Sequence, residues 1–136
     1  MPLVGTLLVG FGEEFLFRRV ILPYFLKKFP IRKVIILSAL VFGVFHALNI
    51  FAGSDVKAVM VQVVTTTILG FYYAHLYLLM QKITWCAVDH GLWDYIVFNK
   101  AAASIPLIMG LLIAQVVLRI VMTIIMARRV AKIAKS

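Results

Sequence analysis

The sequence predicts an all-α fold, a polytopic transmembrane helix bundle of about five membrane helices. Three observations carry that prediction. The 136 residues are 64% hydrophobic with a mean hydropathy of +1.06, more apolar surface than a soluble domain of this size can hide. The apolar residues run in long stretches of the length a bilayer core requires. The basic residues gather at the ends of those stretches and not on a soluble face. The whole of 1–136 reads as one integral membrane domain, with no internal repeat and no low-complexity segment.

The helices are expected at 3–26, 33–51, 56–80, 83–99 and 104–128. The first follows Met1-Pro2 with no basic segment before it. Glu13-Glu14 interrupts it and no small-residue cleavage site follows, which argues against a cleaved signal peptide. Phe29-Pro30 separates it from the second helix, and Ala52-Gly53-Ser54-Asp55 separates the second from the third. Gln81-Lys82 and Asn99-Lys100 bound the fourth, which is short for a span. Ser104 and Pro106 suit the start of the fifth.

Fourteen Lys and Arg against five acids give a net charge of +9. Lys27, Lys28, Arg32 and Lys33 follow the first helix, Lys82 the third, and Arg128, Arg129, Lys132 and Lys135 the fifth. With five spans these fall on one side of the membrane, which predicts the N-terminus outside and the C-terminus cytoplasmic. Anionic lipid headgroups are the expected partner of this charge, and nucleic acid is not. Cys86 excludes an intramolecular disulfide, and in an apolar run it is a poor nucleophile.

Against this apolar background three motifs stand out: Glu13-Glu14-x-x-x-Arg18, Phe42-x-x-x-His46 and His90-x-x-x-Asp94. An ionisable group in hydrocarbon costs a few kcal/mol or more, so each needs a partner. Glu14 and Arg18 stand four apart in the favourable order for an ion pair, which neutralises both charges structurally. Glu13 points about 100° away from Glu14 on an ideal helix and must look to another helix. At about 1.5 Å per residue from the cytoplasmic helix ends, Glu13 and His46 lie roughly 20 Å deep, Asp94 roughly 16 Å and His90 roughly 10 Å. A desolvated Glu paired with His can hold and polarise a water. His90 and Asp94 share a helical face, as a structural hydrogen-bonded pair or as an oxyanion-stabilising group. Gly91 permits close helix approach. Glu13, His46, His90 and Asp94 are also acceptable zinc ligands, although no H-E-x-x-H is present. His75 belongs to no recognisable motif and reads as a helix-bonded polar side chain.

In these motifs the chain resembles the CPBP family, the CAAX-protease and bacteriocin-processing (Abi) glutamate intramembrane proteases. Glu13-Glu14-Phe15-Leu16-Phe17-Arg18, Phe42-Gly43-Val44-Phe45-His46 and His90-Gly91-Leu92-Trp93-Asp94 follow the family's order over a core of roughly 10–98. The resemblance implies Glu13 as general base and His46 as its partner in activating water. It implies Glu14, Arg18 and Phe42 as supporting residues, and His90 and Asp94 on the oxyanion side. It implies no cofactor, and a hydrophobic or membrane-bound peptide as substrate in a bacterial or archaeal plasma membrane. Asp94 departs from the Asn usual in prenyl-protein proteases. An ionised Asp donates no hydrogen bond, so it must be protonated or must orient His90. That departure points to a bacterial-type member. The extra spans most members carry before the E-E motif are missing, as expected of a compact member or of the core of a longer protein. Two other readings stay open: a non-catalytic relative acting as an immunity or regulatory binding factor, and a small proton-coupled transporter relaying protons through Glu13 and His46.

Overall fold

A computed structural model of the protein describes residues 2–98 and 105–133. The expected break at Asn99-Lys100, the helix start at Ser104, and Lys135 and Ser136 lie outside the described residues. Within them the chain is helical with no strand, as expected of a transmembrane bundle. Helix α1 (Leu3–Glu14) passes directly into a π-helical stretch (Phe15–Ile21) and then α2 (Leu22–Leu26), making one rod. Extended Pro30 precedes α3 (Ile31–Phe45), which tightens into a 3-10 turn (His46–Ile50). Asp55 caps α4 (Val56–Met80) by accepting a 3.0 Å hydrogen bond from the Ala58 N–H. Left-handed Gln81 (φ 56°) ends α4, its N–H donating to the Tyr77 carbonyl at 2.8 Å. Two residues later α5 (Ile83–Phe98) begins, and α6 (Pro106–Ile133) closes the described chain.

Among the described residues three stretches are long and apolar enough to cross a membrane: Ile31–Ile50, Val56–Met80 and Pro106–Ile133. Helix α5, at 16 residues, extends only about 24 Å, short of a hydrocarbon core of about 30 Å. It is shielded along its length by the first rod, its most extensive partner. Gly10 and Gly91 make that approach close. A Cβ on Gly91 would stand 2.7 Å from Leu7 Cα, and one on Gly10 would stand 2.8 Å from the Ala87 carbonyl oxygen. Helices α3 and α4 form the second tight pair, and α6 rests on α4. The core joins Leu22 of α2, Val34 of α3, Tyr73 and Tyr77 of α4 and Cys86 of α5.

The outer surface is apolar almost throughout. Leu107, Leu111, Ile113 and Leu118 of α6 are all exposed, the face a lipid-facing helix presents. Its buried residues are Leu112, Arg119, Met126 and Val130, a stripe at near-heptad spacing turned to the bundle.

Candidate active site

The three motifs meet at one point between α1, α3 and α5. Glu14 ends α1 and is fully buried, its Oε2 accepting from Arg18 Nε at 2.8 Å. Arg18 is equally buried. Its Nη1 donates to Ser38 Oγ of α3 at 3.0 Å, and its guanidinium lies 5.1 Å from the centre of the Phe42 ring. Phe42 therefore screens the ion pair while packing edge-on against both His46 and His90. Ser38 was not singled out in the sequence; a lone hydroxyl in an apolar helix carries little signal, because it can bond its own backbone.

Glu13 faces away from that pair and meets two imidazoles on other helices. Its Oε2 is 3.5 Å from His46 Nε2 and 4.0 Å from His90 Nε2. His46 stands where α3 gives way to the 3-10 turn. Its backbone N–H turns to the Gly43 carbonyl, which leaves the Phe42 carbonyl to accept from the ring Nδ1–H at 2.9 Å. With the proton of a neutral ring on Nδ1, Nε2 presents a lone pair toward Glu13.

His90 is 3% exposed and ringed by carboxylates. Its Nδ1 is 3.3 Å from Glu14 Oε1, and its Nε2 is 3.6 Å from Asp94 Oδ2 one turn along α5. Counting along the helices put His90 about 10 Å shallower than Glu13, yet the two side chains stand within 4.0 Å. Gly10 lies against Ala87 and Gly91, so α5 begins beside the middle of the first rod and not beside its end, and counts from the two helix ends have different origins. Glu13 Oε2, Glu14 Oε1 and His90 Nδ1 are buried and make no hydrogen bond among the described residues. Of these residues, Glu13 and His90 border open space between the helices, and Glu14 does not.

That space is a cavity of about 700 Å³. Glu13, His46, His90 and Asp94 line its inner end; Asn49, Ser54 and Gln62 line it toward the α3–α4 loop. Among the described residues no group of three His, Cys, Asp or Glu side chains is spaced to hold a metal ion. His75 lies apart, bonded through Nδ1 to the Phe71 carbonyl of its own helix at 2.7 Å. Cys86 is buried, with its thiol 3.8 Å from the Tyr73 carbonyl.

One charged pair escaped the sequence reading. Arg119 Nη2 of α6 donates to Asp89 Oδ2 of α5 at 2.8 Å, with Arg119 only 3% exposed. A lone Arg in the middle of a 28-residue apolar helix was the available signal.

Residues 1–96 match the family model described as type II CAAX prenyl endopeptidase Rce1-like. No curated protein and no solved structure matches the chain.

Proposed function

The chain belongs to the Rce1-like family of type II CAAX prenyl endopeptidases, a membrane protease family, and from that premise we propose that it hydrolyses peptide bonds of a hydrophobic or membrane-associated peptide using water activated by Glu13 and His46. The observation that carries the reading is the meeting of Glu13, His46 and His90, from three helices, at the inner end of one cavity.

A water against Glu13 Oε2 and His46 Nε2 donates a hydrogen to each and turns its oxygen lone pairs to the cavity. Glu13 takes one proton as that oxygen attacks the scissile carbonyl carbon. The carbonyl oxygen becomes an oxyanion on the His90 side, where an Nε2–H can stabilise it. As the tetrahedral intermediate collapses the C–N bond breaks, and Glu13 passes its proton to the leaving amine. Asp94, 3.6 Å from His90 Nε2, serves by orienting the ring. Glu14 Oε1 faces the other ring nitrogen at 3.3 Å, and Arg18 balances the Glu14 charge. No metal enters this scheme.

In this reading substrate enters from the α3–α4 loop side, the side expected to face outward from the asymmetry of Lys and Arg. The test is cleavage of hydrophobic peptides, prenylated and unprenylated, by the purified protein beside Glu13→Gln. That change is nearly isosteric but cannot accept the water's proton, so turnover should fall about a hundredfold or more. Near-normal turnover by the variant would sink the glutamate mechanism.

A further inference from the structure

Helix α5 carries two polar pairs, each one turn long and offset by one residue. His90 and Asp94 face Glu13. Asp89 and Trp93 face Arg119, which belongs to α6 and lies beyond the residues that match the family model. The Arg119 guanidinium is 2.8 Å from the Asp89 carboxylate and 4.6 Å from the centre of the Trp93 ring, a charged bond and a cation–π contact from one group. It also lies 6.0 Å from the centre of the Tyr73 ring. Tyr73 is fully buried and stacks on His90, with ring centres 5.5 Å apart and planes 26° apart. Trp93 in turn lines the cavity that holds the site.

Resting on the proteolytic reading above, we propose that Arg119 is a positioning residue: through Asp89, Trp93 and Tyr73 it sets the rotation of α5 about its axis, and so the stance of His90 and Asp94 toward Glu13. Gly91 against Leu7 sets how closely α5 approaches α1, but Gly91 has no side chain to act as a lever against rotation. The bond from Asp89 to Arg119 supplies that lever. A side-chain tip stands about 5–6 Å from a helix axis, so a turn of about 10° moves it about 1 Å. Misplacement of about 1 Å at a reacting centre costs about a hundredfold in rate.

A counter-ion role alone would predict something different. If Arg119 only neutralised Asp89, removing both charges together would leave catalysis intact. The deciding variant is therefore the neutral pair Asp89→Asn with Arg119→Gln, beside Arg119→Lys, which keeps a cation but loses the planar face on Trp93. The expected result for the neutral pair is a folded protein whose kcat falls about ten- to a hundredfold while KM stays within about twofold. Arg119→Lys should lose kcat to a smaller degree. In isotope-labelled protein the His90 ring resonances should move in both variants as the Tyr73 stack shifts, while those of His75 stay. Wild-type kcat with unmoved His90 resonances in the neutral pair would overturn the proposal. Were that pair too poorly folded to assay, the same two findings in Arg119→Lys would overturn it. Absence of peptidase activity in the wild type would remove the proteolytic reading, and the His90 resonances would still decide the positioning role.

Discussion

Gly91→Ala is the sharpest test of how the site is assembled. The added Cβ would stand 2.7 Å from Leu7 Cα and 2.9 Å from the Thr6 carbonyl oxygen. Carbon pairs settle at about 3.5–4.0 Å, so α1 and α5 must part by about 1 Å. These neighbours include α1 backbone, which cannot turn aside as a side chain would. Overpacking of this kind costs about 1–3 kcal/mol of stability. The larger effect falls on catalysis, because Glu13 and Glu14 ride on the first rod and His90 on α5. The separation of Glu14 Oε1 from His90 Nδ1, now 3.3 Å, would lengthen by about 1 Å. With reacting groups displaced by about 1 Å, kcat/KM should fall about a hundredfold. Peptide cleavage and thermal unfolding in detergent would measure the two effects. Gly12→Ala is the control: its Cβ would meet nothing within 4 Å, and both quantities should hold. Activity within about twofold of wild type in Gly91→Ala would refute the packing argument, since a loss of about 1 kcal/mol in the barrier term is already fivefold.

Other outcomes follow from the same geometry. Arg18→Ala strands fully buried Glu14 and should cost about 3–5 kcal/mol, seen as lost folded yield. The double change with Glu14→Gln should recover part of that yield; no recovery would show that the two are not energetic partners. Strong chelators should leave cleavage unchanged, and a loss restored by added Zn²⁺ would move the site to the metal hydrolases. For topology, cysteines at Ser54 and Lys132 in a Cys86→Ser background can be probed on intact cells with an impermeant thiol reagent. Labelling at Ser54 alone is expected, and labelling at Lys132 alone would invert the orientation.

The helices and the three motifs were legible because a bilayer makes polar residues conspicuous. Glu13, Glu14, Arg18, His46, His90 and Asp94 each interrupt an apolar run, and the spacing of Glu14 and Arg18 already paired them. That Glu13 needed a partner elsewhere also followed from its azimuth, but which imidazole it meets depends on how helices lie side by side. Arg119 and Asp89 show the limit more clearly. They are 30 residues apart, on helices whose contact no local period announces. The 3-10 turn at His46 was equally silent, because Val44, Phe45 and His46 are compatible with continued α-helix. The π-helical stretch left no trace in hydropathy either, since it alters hydrogen-bond closure and not composition.

That stretch has a consequence for how such a chain can change length. Closure from residue i to i+5 packs more residues into each turn than α-helix does, so Phe15–Ile21 holds about one residue more than α-helix of equal winding. The surplus lies between Glu14, which faces α5, and Leu22, which enters the core of α3 and α4. A relative with one residue fewer here could wind as uninterrupted α-helix and still present both ends to the same neighbours. A single deletion elsewhere in the rod would instead turn one end by about 100° and pull Glu14 or Leu22 off its contact. Tolerance to deletion should therefore peak between Phe15 and Ile21, immediately after the acidic pair, where a gap in a sequence comparison would otherwise look most damaging.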